Sequence, residues 1–470
     1  MLNNNINNID ISNNTKISFI ELSNNNISNL DLSKTADLYY LRIHENNLSN
    51  IDLSNNPALT DLIISENSLT QIDIQQNKNL TYVSLSDNTI SSLNTESNLQ
   101  LQTLNIKSNV ITQLDITKNI KLDDLFAIDN QLTQLDVSKN ILLEDLALSD
   151  NNLDFIDIST NTKLTYFSAI NNNLTELDIS NNPLLTNILI QDNELTDFDT
   201  SNNINLEILF LSDNQLTTID FSLNSNLLQL SVKNNHLNLI TLPTDSNLVI
   251  LTLINNQLTD LDITGSSHLE ELYLKSNLIT SITTNQNIDL TLLSISDNQL
   301  INIDVSDNIN LIYLYLYENY LMSLDVSNNN KLETLSLKHN NISSLDVSNN
   351  KELIYLSVSN NDISQLNLLE NTKLDTLNAV SNHLTEIDLT QNTLLYSIYL
   401  GANNISEINI STNTLLNNFY LEYNQLTQVP IGMDNIVNKD ATIDFIFNNF
   451  EDSQLLQLDE LKLTYPNLVW

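Results

Sequence analysis

The stretch Lys331–Asn350, KLETLSLKHNNISSLDVSNN, decides the fold. Leu332, Leu335 and Leu337 precede Asn340, and then Ile342, Leu345 and Val347 precede Asn350. Across Leu335 to Leu337 apolar and polar residues alternate, the period of a short strand with one face turned inward. Leu345-Asp346-Val347 repeats the alternation and suggests a second strand on the opposite side. Outward from this copy the pattern keeps strict time, because asparagine recurs every 21 residues without a slip from Asn25 to Asn424. A fixed period of this length marks a solenoid, in which each unit buries its apolar face only by stacking on its neighbours.

The run L-x-x-L-x-L-x-x-N-x-L resembles the leucine-rich repeat signature over essentially the whole chain. The 21-residue form with a second L-D-[LIV]-S-x-N half is similar to the nested class of bacterial proteins, in the style of internalin-type surface proteins. The resemblance implies a repeat solenoid, mainly β: a right-handed stack with a parallel sheet on the concave face and short strands or irregular turns on the convex face. It also implies use chiefly in binding proteins. Residues 1–450 form the expected solenoid, and 451–470 a C-terminal cap with a short helix around Ser453 to Leu461 that places Trp470 over the open core end.

Apolar content supports the same shape. One copy supplies Leu48, Ile51, Leu53, Leu59, Leu62 and Ile64, and burying each contributes roughly 1.5–3 kcal/mol before entropy is subtracted. The asparagines need a separate account, since a buried amide is costly unless its donors and acceptor are used. They are expected to bond the backbone of their own and adjacent turns, and to supply the left-handed conformations of tight turns, because the chain has only Gly265, Gly401 and Gly432. A second ladder runs from Asn56 through Asn77 and Asn98 to Asn413, failing at Thr35, Asp245 and Ser266.

Composition bounds the partners. Acidic residues number 58 against 17 basic, for a net charge of −41, and Arg42 is the one arginine. Phosphate backbones are bound by clustered Lys and Arg, so nucleic acid is not an expected partner, nor is an anionic membrane. No apolar run long enough to cross a bilayer occurs, and Met1-Leu2-Asn3-Asn4 does not start a signal peptide. As written the chain is expected in the cytoplasm, or at the surface or secreted if it is a fragment of a longer bacterial protein. The register already runs at Asn4 and Ile9, so the first turn would expose a core face unless missing sequence or a partner covers it. A monomer is expected. Zero cysteines leave the redox compartment open.

Two columns carry candidate sites. Aspartate fills one position of the second half-repeat from Asp10, Asp31 and Asp52 to Asp304, Asp325, Asp346 and Asp388. Neighbours about 5 Å apart would repel by roughly 0.8 kcal/mol even in water. Either each carboxylate accepts local backbone hydrogen bonds, or the column, with Asp304, Asp325 and Asp346 as its clearest run, gathers Ca²⁺ loosely. The outward positions of the first strand collect aromatics. Tyr273, Tyr313, Tyr315, Tyr317, Tyr355, Tyr399 and Tyr420 make a tyrosine-rich ribbon toward the C-terminus, and Phe126, Ile128, Ile170, Leu189 and Phe210 a more apolar patch before it. Tyrosine there serves either the sheet itself or recognition, combining area with a polar end.

Catalysis finds no motif. The histidines His44, His236, His268, His339 and His383 are scattered, and the three glycines form no phosphate loop. The expected function is a non-catalytic protein-binding module with no required cofactor. The alternatives are a carbohydrate-binding or adhesive surface that stacks sugars on tyrosine, and a cation-stabilised structural spacer. Between Leu239 and Thr283 the second half-repeat degrades, with Thr241 and Thr283 in the aspartate column, and the back strand is expected to break there.

Overall fold

A computed structural model describes residues 3–470. Met1 and Leu2, on which the reading of the chain's start partly rests, lie outside the described residues. Contacts divide the chain into two compact units, Met1–Thr241 and Leu242–Trp470.

Each unit is a β-solenoid built from three-residue strands. In Thr334–Ser336 the central Leu335 is fully buried while Thr334 remains half-exposed. Such a strand is too short to stand alone; it persists because the next turn offers an identical edge. The register is the 21-residue period itself: Thr334 pairs with Tyr355, Leu335 with Leu356 and Ser336 with Ser357, all parallel. In the first unit the sheet runs from Phe19–Glu21 to Gln229–Ser231, and in the second from Ile250–Thr252 to Leu468–Val469. Leu332, Leu335, Leu337, Ile342 and Val347 are wholly buried, and Leu345 nearly so, as the single copy predicts.

The front asparagine ladder uses its whole amide. Asn340 Oδ1 accepts the Leu321 N–H of the preceding turn at 3.0 Å, and Nδ2 donates to Leu316 O at 2.9 Å and Leu337 O at 3.0 Å. Turning falls elsewhere, however. The left-handed residue is the one before each ladder asparagine, at Glu45, Asp87, Ser108, His339, Ala402 and Tyr423 among others. The expectation that the ladder asparagines make these turns is therefore corrected: their side chains hold the loop from inside while the preceding residue bends it.

The back ladder is used only in part. Asn350 Nδ2 donates to Val326 O and Asn329 O, both at 2.9 Å, but its Oδ1 is buried without a partner, as are those of Asn329, Asn371 and Asn392. Three turns differ. Thr95, Thr200 and Thr284 occupy a column otherwise filled by aliphatic or aromatic core residues, and each donates its hydroxyl at 2.7 Å to the Oδ1 of Asn119, Asn224 and Asn308 respectively.

On the back side the outcome reverses expectation. Among the described residues of the first unit the paired back strands are Thr218–Asp220, just before the degenerate region, and Leu239–Thr241, at its opening, where a break was expected. The β-branched Thr218, Ile219, Ile240 and Thr241 favour pairing there. Elsewhere in that unit the L-D-L segments run without a ladder, and in the second unit a single bridge joins Asn409 to Ile431.

At the C-terminus the spacing lengthens, and Asn448 continues the front ladder by accepting Leu426 N–H at 2.9 Å. The cap helix spans Asp452–Thr464, longer than expected, and Leu468–Val469 pairs with the strand Thr442–Asp444. Trp470 does not close the core, being 39% exposed; Tyr465, fully buried, does so. Its hydroxyl donates to Met433 O at 2.7 Å and accepts from Lys439 Nζ at 2.8 Å. A tyrosine suits this position because one end fills the core and the other satisfies the loop carbonyls.

Candidate functional site

The outward faces of the second unit's strands carry the predicted tyrosines, and parallel in-register pairing fixes their order. Leu292–Ser294, Tyr313–Tyr315 and Thr334–Ser336 are consecutive, so Tyr315 lies between Ser294 and Ser336, and Tyr313 between Leu292 and Thr334. Tyr355 follows beyond Thr334, and Tyr273 precedes Ser294. The small serines leave the rings room, and Tyr313 is 38% exposed.

This cluster is tied by polar contacts that the sequence alone did not single out. Tyr273 donates its hydroxyl to Glu271 Oε2 at 2.8 Å; burial first and then this carboxylate push its phenol up to about 12. Burial, followed by the neighbouring Tyr313, raises Tyr315 as well. Lys275 Nζ stands 5.5 Å from the centroid of the Tyr317 ring, and its hydrogen bond with that tyrosine raises the ammonium. A cation over a ring face adds attraction, so Tyr317 and Tyr273 are held in place.

Tyr399 and Tyr420 stand apart from the five. They stack on one another at 5.2 Å with 17° between planes, and Ser336, Ser357 and Asn378 separate them from Tyr315 in their column. Four turns at about 4.8 Å each put roughly 19 Å between the two groups. Beyond the stack, Glu422 is pushed up by burial, and a Cβ on Gly401 would lie 2.2 Å from its carboxylate, so glycine leaves that acid its place.

The aspartate column has local partners throughout. Oδ1 of Asp304, Asp325 and Asp346 accepts the N–H of Ser306, Ser327 and Ser348, each at 2.9 Å. The serine hydroxyl and N–H hold Asp304 and Asp325 below the usual carboxylate range, with the N–H the larger cause at Asp346. Every column aspartate from Asp10 to Asp388 makes this turn, and Asn94, Asn367 and Asn409 make it where asparagine substitutes. The local-bond reading thus describes what each carboxylate does.

One ligand set escaped the sequence reading. His44, Glu45 and Glu66 bring one donor atom each within 4.8 Å of one another, because a residue 21 positions on sits beside its predecessor. Imidazole with carboxylates suits a borderline divalent ion. Among the described residues no helix is long and apolar enough to cross a membrane.

No protein-family model and no curated protein matches the chain. Solved structures do. The functional domain of InlJ from Listeria monocytogenes is 29% identical, with 73% of this chain and 72% of that one covered at a TM-score of 0.59. YopM from Yersinia enterocolitica is 22% identical over 90% of this chain and 91% of that one, at a TM-score of 0.67. The structure of PEPR1–AtPEP1 is 18% identical over 98% of this chain and 82% of that one, at a TM-score of 0.74, a likeness of fold.

The chain is a leucine-rich repeat protein.

Its repeat is of the internalin type, as the 21-residue spacing implies. The InlJ domain includes a cysteine ladder; this leucine-rich repeat chain has no cysteine and runs two asparagine ladders instead.

Proposed function

We propose that this leucine-rich repeat chain is a non-catalytic protein-binding module whose contact surface in the second unit is the cluster Tyr273, Tyr313, Tyr315, Tyr317 and Tyr355. The observation that carries the reading is this group of partly exposed rings, four on strands whose register is fixed turn by turn and Tyr317 two residues beyond the strand Tyr313–Tyr315. Backbone and ladder bonds order the surface before a partner arrives, so binding incurs little ordering cost. Tyrosine gives each contact broad apolar area and a hydroxyl. Solved neighbours that are protein-interaction domains of the same fold, InlJ and YopM among them, support the general role.

The test is a pull-down with the native chain beside one in which Tyr313, Tyr315 and Tyr317 are all serine. The reading requires at least one protein recovered by the first to be lost with the second. Recovery of the same set by both would refute it.

A further inference from the structure

The first unit carries a different surface. Asp124 and Asp145 are direct cross-strand partners, and Asp123 and Glu144 precede them in their turns. Four carboxylates thus meet on adjacent strands. Among the described residues none of the four enters an ion pair with a lysine, arginine or histidine. Thr103 donates to Asp124 at 3.2 Å, but Asp123 Oδ1 is buried without any partner. Burial foremost, then the neighbouring Asp124 and Glu144, raises both Asp123 and Asp145. Like charges directly opposite in a sheet are destabilising. Here the hydroxyls of Thr103 and Thr165 and nearby backbone N–H groups ease the repulsion, but no cation of the described residues offsets it.

Beside this cluster, two residues along the same strands, runs an apolar strip. The column reads Phe126, Ala147, Ser168, Leu189 and Phe210 in consecutive register. Ala147 and Ser168 point to the outward face yet are only 1% and 2% exposed. Phe126 and Leu189, half-buried, are the large apolar residues at the two ends of this run, and the Ser168 hydroxyl between them pairs with that of Ser149. Ile128 and Ile170, half-buried, extend it by one more column. Residues two apart on a strand lie about 7 Å from each other, which sets the distance from carboxylates to apolar strip.

We infer that this face docks an extended protein segment carrying a lysine or arginine two residues from an aliphatic or aromatic side chain, the cation among Asp123, Asp124, Glu144 and Asp145 and the apolar group on Phe126. Charge complementarity selects the occupant: crowded acids without a counter-charge are satisfied by a cation, and a charge-assisted bond is strongest where the acid is already partly out of water. Alternate side chains of an extended segment recur at the same 7 Å or so, matching the spacing of the two features. The inference rests on the reading of the chain as a protein-binding module but uses none of the tyrosines.

The experiment is fluorescence anisotropy on the full chain with a labelled synthetic peptide in which lysine and leucine alternate, each separated by threonine. Companion peptides replace every leucine with serine or every lysine with glutamate. Binding of the first peptide is expected to weaken at least about tenfold when Asp124→Asn and Asp145→Asn are combined, and to weaken likewise when serine replaces leucine. Asp31→Asn with Asp52→Asn removes equal charge from the aspartate column and is expected to leave binding unchanged. The Asp124/Asp145 double variant is expected to melt no lower than the native chain, because it relieves repulsion. Equal losses in the two double variants would mean bulk charge alone and overturn the inference, as would an unaffected peptide or a lowered melting temperature. If the peptide fails while the tyrosine triple variant still loses its partner, only this inference falls.

Discussion

Replacing Val326 with threonine tests the back ladder most sharply. Val326 is fully buried, and 24 residues on, Asn350 Oδ1 is buried without a donor. Thr284 stands in the same relation to Asn308 and donates to it at 2.7 Å. Valine and threonine share a shape, so Val326→Thr adds a hydroxyl where an acceptor is unmet. Burying the hydroxyl costs about 1–3 kcal/mol, and satisfying the orphaned carbonyl returns about 1–3 kcal/mol. The net change is therefore expected within about 1 kcal/mol of zero. Val83→Thr is the control. It sits at the centre of the strand Tyr82–Ser84 between Leu62 and Leu104, and is expected to lose about 1–3 kcal/mol. The reverse change, Thr284→Val, orphans Asn308 Oδ1 and gains one methyl, for an expected loss of about 0.5–2 kcal/mol. Stacked repeats need not melt in one step, so the assay is native-state hydrogen exchange, reading the Asn350 amide bonded to Val347 O at 3.0 Å. If Val326→Thr proves as damaging as Val83→Thr, the argument from the orphaned carbonyl is refuted.

Other outcomes follow from the same contacts. Asn340→Ala deprives Leu321 N–H of its acceptor and takes one of two ladder donors from Leu316 O and from Leu337 O, which keep Asn319 and Asn361, and is expected to cost about 1–3 kcal/mol, read from exchange in that turn. Asp31, Asp52 and Asp325 titrate below their ordinary range because serine hydrogen bonds favour the carboxylate; their contribution is full above the unfolded value of about 3.9 and is lost as pH falls through the folded one. Melting temperature measured from about pH 5 down should fall, and Asp325→Asn, which mimics Asn367, should reduce that slope while staying near neutral at pH 7. Tyr465→Phe removes the bonds to Met433 O and Lys439 and should loosen the cap by about 1–2 kcal/mol, seen as faster exchange at Leu468.

The register, the core and the front ladder were legible in one copy because a solenoid makes sequence period and spatial neighbour the same thing. Leu335, Leu337 and Ile342 could be assigned inward on alternation alone. Some of what escaped depends on neighbours the period does not name. The left-handed column is mostly Asn and Asp, such as Asn24, Asp87 and Asn360, a signal masked by the stricter asparagine ladder one residue on and by departures such as Glu45, His339 and Ala402. Tyr465 rather than Trp470 closes the end because its position is set by the length of the cap helix, Asp452–Thr464, which the pattern underestimated. The seven tyrosines share columns on paper, but distance along the stack separates Tyr399 and Tyr420 from the rest. The acidic cluster at Asp123 and Glu144 was within reach of the period, since its members lie 21 residues apart, but it was not read because acids were followed only along the second half-repeat.

The front ladder's amides address backbone atoms of the preceding turn and never its side chains. Any copy can therefore follow any other, and a recombination that drops or duplicates one 21-residue unit meets the same carbonyls and N–H groups at the seam. Length becomes a heritable variable decoupled from packing, and the outward positions can diversify turn by turn while the scaffold beneath them stays interchangeable.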